Sequence, residues 1–132
     1  MRRLFADTFY YLALLSPADE AHASAVELTH DYGGEMVTTD FVLMEVADGL
    51  ASARTRRAAV ALVDALHRDP AVRIIPATRR LFERASRMYR ARSDKNWSMT
   101  DCTSFLVMRD LKLSEALTAD HHFKQAGFVT LL

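Results

Sequence analysis

Short apolar runs alternate with longer segments of helical periodicity along this chain, and a sequence with that rhythm has few ways to bury its apolar faces. The runs at 3–6, 35–38, 72–75, 116–117 and 128–131 read as strands. Between them, 8–15, 19–32, 40–53, 55–68, a stretch after Pro76, 99–111 and a short piece at 121–125 read as helices. Parallel strands need helical crossovers, so the expected fold class is α/β: a three-layer α/β/α sandwich around a short, mainly parallel central sheet. The helix at 19–32 puts Ala21, Ala25, Leu28 and Tyr32 on one face, and Gly33-Gly34 ends it. The helix at 40–53 turns Val42, Leu43, Val46, Ala47 and Leu50 inward, with Glu45 on the flank of that stripe. The next buries Ala58, Ala59, Leu62, Val63 and Leu66, and the one after Pro76 uses Leu81, Phe82, Ala85, Met88 and Tyr89. The segment 99–111 is apolar on nearly every side through Phe105, Leu106, Val107 and Met108, which makes it the central helix.

No repeat, low-complexity tract or long linker interrupts this order, and Pro17, Pro70 and Pro76 fall where periodic segments stop. Residues 1–132 are therefore expected to form one globular domain, with half the residues apolar and able to fill a core. The 17 basic and 17 acidic residues cancel, which excludes a whole-chain field that would mark a nucleic-acid or membrane binder; any such partner must be read from local patches. A lone cysteine, Cys102, cannot form an internal disulfide, and without a Cys/His cluster a structural zinc is not expected. The expected compartment is the cytoplasm. The N-terminal stretch MRRLFADTFYYLALLSP has a basic start and an apolar run, but Asp7 interrupts it, no A-x-A-like cleavage site follows, and it is too short to span a bilayer. It reads as folded structure, with no membrane partner.

In open parallel sheets, ligands bind beyond the carboxyl ends of the strands. Asp7 follows the first strand, Glu45 lies just over a turn into the helix after the second, and Asp120 follows the fourth. Asp101 sits near the start of the central helix. Asp7 and Asp120 could equally be N-caps, and Ser98-Met99-Thr100-Asp101 is close to a capping box. Glu45 is too far into its helix to cap it, so its ordinary role would be a solvated flank or an ion pair with Arg54 or Arg57. The readings are compatible, because a helix N-terminus also keeps a nearby carboxylate ionised. Four carboxylates facing one another repel unless a cation lies between them, and oxygen donors suit Mg²⁺ or Mn²⁺. Such an ion lowers the pKa of a bound water and stabilises charge on a phosphoryl oxygen; two ions can hold attacking and leaving oxygens in line.

The segments LFADTFYYLALL, TTDFVLMEVADGL, WSMTDCTSF and ALTADHHFKQAGF, taken in order, resemble the motifs of PIN-domain ribonucleases, particularly the VapC-type toxins of prokaryotic toxin-antitoxin pairs. The resemblance spans nearly the whole chain and implies a PIN-like fold. It assigns Asp7, Glu45, Asp101 and Asp120 to the catalytic, metal-binding quartet, with Thr8, Thr39 and Ser98 as supporting polar residues. It implies Mg²⁺- or Mn²⁺-dependent endoribonuclease activity on single-stranded or looped RNA, leaving 5′-phosphate and 3′-hydroxyl ends. A homodimer and a small antitoxin that blocks the site are implied as well. Some members carry a further acid near the third or fourth; this chain shows none, which leaves one metal ion or two undecided.

Seven basic residues lie between Arg79 and Lys95 against Glu83 and Asp94, and Arg80, Arg84 and Arg87 share a helical face that could contact RNA phosphates or simply be solvated. Trp97 could stack on a base, although a lone Trp is more often packing. His122 could orient a water or contact phosphate, or make a structural hydrogen bond to a neighbouring loop. Cys102 reads as buried packing. An aspartyl-phosphate mechanism lacks the second carboxylate beside Asp7 and a Gly-rich nucleotide loop. The alternative function is a catalytically inactive or housekeeping PIN-fold module that binds RNA or protein, which predicts loss of one or more of the acids.

Overall fold

The computed structural model describes residues 2–132; Met1, at the head of the basic N-terminal run, lies outside them. Five strands, β1 (Arg3–Ala6), β2 (Glu35–Thr39), β3 (Val72–Ile75), β4 (Glu115–Leu117) and β5 (Val129–Thr130), form one sheet in the order β3-β2-β1-β4-β5. Every pairing is parallel, with Leu4 beside Met36 and Phe5 beside both Val37 and Ala116. Helices α1 (Thr8–Leu15) and α2 (His22–Asp31) join β1 to β2, and α3 (Asp40–Gly49) and α4 (Arg56–Arg68) join β2 to β3. Helices α5 (Arg79–Ala91) and α6 (Met99–Asp110) carry the chain back across the sheet to β4, and α7 (His121–Gln125) leads to β5. Right-handed crossovers running in opposite directions from β1 put α1 to α4 on one face and α5 to α7 on the other, the expected three layers. The central β1 is accordingly apolar and buried through Leu4, Phe5 and Ala6, packed on Phe105 and Phe123 from the second layer. As expected, α6 is the central helix, buried from Asp101 through Phe105.

Several element ends differ from the sequence reading for local reasons. The turn before α2 is closed by Asp19, whose Oδ1 accepts from the Ala21 amide at 2.8 Å, so that helix begins at His22 rather than 19. Helix α3 stops at Gly49, because the Thr55 hydroxyl donates to the Leu50 carbonyl at 2.9 Å and folds the following residues into a turn. A β-carbon on Gly34 would collide with the Tyr32 ring, whose hydroxyl donates to the carbonyls of Arg2 and Glu35, so glycine is required there for packing. Ala58 is exposed rather than buried, and the inward stripe of α4 is Ala59, Leu62, Val63 and Leu66. On α5 the buried line is Leu81, Ala85 and Met88; Phe82 and Tyr89 each follow one of its members, a rotation of about 100° that carries them to the exposed edge. Among the described residues, no helix is long and apolar enough to cross a membrane.

Candidate active site

The chain leaves β1 toward β2 and returns on the other side at β4, so the crevice beyond the carboxyl ends of β1 and β4 is the topological switch point. Asp7 opens it. Its amide donates to the Leu117 carbonyl at 3.3 Å, but its side chain makes no cap bond to α1. The carboxylate turns instead to Thr118, whose hydroxyl donates to Oδ2 at 2.9 Å. Burial pushes the Asp7 carboxyl up to about 7, against the pull of the Thr118 hydrogen bond and the nearby Thr8 amide, and the charges of Asp101 and Glu45 push the same way as burial.

Asp101 stands in the first turn of α6 in a reciprocal capping box: Ser98 Oγ accepts from its amide at 2.9 Å, and its Oδ2 accepts from the Ser98 amide at 3.0 Å. That same oxygen lies 3.0 Å from His122 Nδ1. An ionised carboxylate only accepts, so Nδ1 carries the hydrogen of this pair. Burial raises the Asp101 carboxyl above its ordinary range, and the Asp120 charge adds to the rise. Asp120 caps α7, its Oδ1 accepting from the His122 amide at 2.9 Å and lying 3.3 Å from the His122 ring nitrogen. His122 therefore ties the third acid to the fourth, not the acid site to a neighbouring loop. Thr118, which the sequence reading passed over, ties the first to the fourth, because its Oγ1 also accepts from the Asp120 amide at 3.0 Å. Its only sequence signal is a hydroxyl two residues ahead of a capping Asp.

Glu45 is half-buried in α3 and forms no ion pair among the described residues, with Arg54, Arg57 or any other cation. Thr39 is spent on capping α3, its Oγ1 accepting from Val42 at 3.0 Å. The Thr8 hydroxyl, adjoining Asp7, is buried without a hydrogen-bond partner among the described residues. Of the arginines on α5, Arg84 grips Asp110 of α6 through two bonds of 2.6 and 2.9 Å, while Arg80 and Arg87 are exposed. Trp97 is packing: it is 4% exposed, stands edge-on to Phe105 and donates from Nε1 to Gln125 at 3.0 Å. Cys102 is buried, with its thiol pushed up to about 11 by desolvation, as befits packing.

These residues fit a divalent cation. A buried carboxyl held near 7 by desolvation and two neighbouring acids is a site short of positive charge, and the orphaned Thr8 hydroxyl needs a partner such as a metal-bound water. Asp120, His121 and His122 also present ligand atoms within 4.8 Å of one another. The donors at hand are mostly carboxylate oxygens, which suit hard ions.

A parallel five-stranded α/β sandwich with acids gathered at this switch point is the layout of the PIN domain. The family model for the PIN domain matches residues 4–129, and the chain belongs to the PIN-domain family. It is 32% identical over 126 residues to the 23S rRNA-specific endonuclease VapC20 of Mycobacterium tuberculosis, covering 96% of this chain and 95% of that protein. The crystal structure of that VapC20, described as a Sarcin-Ricin loop cleaving toxin, superposes with a TM-score of 0.87 over 96% of both chains. FitAcB from Neisseria gonorrhoeae (TM-score 0.69, 17% identity, covering 98% of this chain and 96% of that one) shares the fold. So does VapBC2 from Rickettsia felis bound to a DNA fragment from their promoter (TM-score 0.66, 11% identity, covering 97% and 96%).

Proposed function

We propose that this chain is a Mg²⁺- or Mn²⁺-dependent endoribonuclease acting as the toxin of a toxin-antitoxin pair, with residues 1–132 working as one nuclease domain. The observation that carries the proposal is electrostatic: Asp7 is buried at the switch point with the charges of Asp101 and Glu45 bearing on it, and Asp120 bears on Asp101 in turn. The likeness to VapC20, named for its action on 23S rRNA, supports RNA as substrate and a sarcin-ricin-type loop as the first target to try.

Asp7, Glu45, Asp101 and Asp120 would hold the ion. The chemistry a bound Mg²⁺ or Mn²⁺ supplies is a water deprotonated at neutral pH and relief of charge developing on the phosphoryl oxygens. The chain's own residues prepare that site. Thr118 holds Asp7 through Oδ2, and Ser98 and His122 hold Asp101 through Oδ2, so each carboxylate is fixed in place by its neighbours. Asp120, committed through Oδ1 to α7, keeps Oδ2 free. The Thr8 hydroxyl is placed to hold a water beside Asp7. The products would be a 5′-phosphate and a 3′-hydroxyl.

A small antitoxin, a homodimer and a cytoplasmic location complete the proposal. The groove of about 480 Å³ between α3 and α4, lined by Leu50, Ala59, Val60 and Val63 together with Asp48, Arg56 and Asp64, supports a protein partner, since Val60 is 56% exposed. The test is incubation of the purified protein with a sarcin-ricin loop RNA and Mg²⁺ or Mn²⁺, beside Asp7→Asn, Asp101→Asn and an EDTA control. Cleavage by the parent alone is expected; equal cleavage by parent and variants would remove the assignment in favour of a contaminant and an inactive binding module.

A further inference from the structure

We infer that the groove between the C-terminal turn of α5 and Ser98 is a nucleotide subsite, which binds the single-stranded RNA adjoining the bond to be cut. The inference rests on the ribonuclease reading and adds to it the residues that would hold the substrate.

The groove has a volume of about 580 Å³, within the span of roughly 300–1,000 Å³ usual for small-ligand sites. Its charged lining is basic throughout, from Arg90, Arg92 and Lys95, with Asn96 contributing an amide. Arg92 is engaged: it chelates Asp94 through bonds of 3.1 and 3.2 Å and lies over the Trp97 ring, 4.8 Å from its centroid. With Trp97 fastened to Gln125, these two side chains make a fixed wall. Lys95 lies 3.8 Å from Asp94, and Arg90 makes no ion pair among the described residues. Two cations therefore remain for phosphates, one wholly and one largely uncommitted.

Tyr89 supplies the second chemistry a nucleic acid needs. It lines the same groove with half its surface in water, 51% exposed, and offers a ring on which a base of any sequence can stack. Cations, an aromatic face and an amide, without an aliphatic floor, match a single strand better than an apolar peptide.

Position connects the groove to the acids. Ser98 lines the groove, and the Ser98 amide holds Oδ2 of Asp101 at 3.0 Å, so the groove adjoins the acid cluster through one shared residue. That cluster repels phosphate, and cations beside it give the strand a reason to approach. The arginine face read from the sequence is less well placed. Arg84 is held by Asp110, and Arg80 stands ten residues before Arg90, about 15 Å back along the helix.

The experiment measures binding of a fluorescently labelled sarcin-ricin loop RNA by anisotropy in EDTA, where affinity is read whether or not the RNA is cut. The proteins are the parent, the double variant Arg90→Ala/Lys95→Ala, Tyr89→Ala and Tyr89→Phe. The double variant is expected to bind about ten-fold or more weakly and to lower the slope of log affinity against log salt by about 1.4, or 0.7 per lost contact. Tyr89→Ala should weaken binding about five-fold or more, and Tyr89→Phe should restore it. Unchanged affinity and slope in the variants, or no binding by the parent, overturns the subsite. So does a change of oligomeric state in gel filtration without a change in RNA affinity, which would make this face a protein interface. Binding that follows the expected order without cleavage in Mg²⁺ or Mn²⁺ leaves the subsite standing and removes the ribonuclease reading instead.

Discussion

The Thr118 hydroxyl donates to Asp7 Oδ2 at 2.9 Å across 111 residues of sequence, and its oxygen accepts from the Asp120 amide at 3.0 Å. One buried hydroxyl thus links the acid after β1 to the acid after β4. Thr118→Val keeps the shape and removes both bonds. A carboxylate that loses a hydrogen bond in a buried site costs about 1–3 kcal/mol, and loss of an outer partner of a metal ligand typically costs 10–100-fold in metal affinity. Thermal unfolding and a calorimetric Mn²⁺ titration should both register the change; an unaltered Mn²⁺ affinity would mean that Asp7 is not a ligand or that Thr118 does not position it.

Metal-free stability should fall as pH rises through the range in which Asp7 titrates. Its folded value, about 7, lies above the ordinary 3.8, so between those values the folded chain keeps a proton the unfolded chain has released. Stability on this group's account therefore declines across that window and levels off above it, by an amount on the order of a few kcal/mol. Asp101, raised in the same direction, adds to the decline. Urea titrations in EDTA across the window should show it, and Asp7→Asn should flatten it while raising stability at the alkaline end. A profile that is the same in parent and variant would contradict the burial argument.

Added Mg²⁺ or Mn²⁺ should reverse that loss. A cation bound to ionised Asp7 competes with its proton, so the rise in Tm on adding metal should be larger near pH 8 than near pH 5. A shift independent of pH would place the ion elsewhere.

Arg84→Ala tests whether the arginine face of α5 is structural. Its two bonds to Asp110 join α5 to α6 at a partly exposed site, and such pairs contribute about 0.2–1 kcal/mol. A stability loss of that size with unchanged RNA affinity is expected. A large fall in RNA affinity would instead restore Arg84 as a substrate contact.

Val60→Asp addresses the protein partner. A third acid in the groove between α3 and α4, beside Asp48 and Asp64 and in place of its most exposed large apolar side chain, should weaken the complex with a co-expressed antitoxin about ten-fold or more while leaving RNA cleavage unaltered. Co-purification at full stoichiometry would show that the antitoxin docks elsewhere.

The strands, their parallel sense and the placement of Asp7 and Asp120 after strand ends were legible because each follows from patterns along the chain: apolar runs, the helical segments between them and an acid just after a run. The partners of those acids were not legible. Thr118 matters only because β4 lies beside β1, and His122 meets Asp101 only because α7 packs near the start of α6; neither adjacency has a local signature. The same holds for Arg84, whose fate depended on Asp110 lying across from it, and for Tyr89, which a rotation of about 100° from Met88 moved from core to groove. Glu45 shows the opposite case. Its helical position alone excluded capping, and the described residues offer it no ion pair that would explain it otherwise.

The sheet order has a consequence for synthesis. β1 is made first but sits at the centre, and one of its neighbours, β4, is made only after β2 and β3. Asp7 stays without Thr118, Asp101 and Asp120 until α6, β4 and the start of α7 have been made. A nascent chain therefore carries the acids as unassembled pieces until α7 has been made, and the proposed site is completed only by that late step.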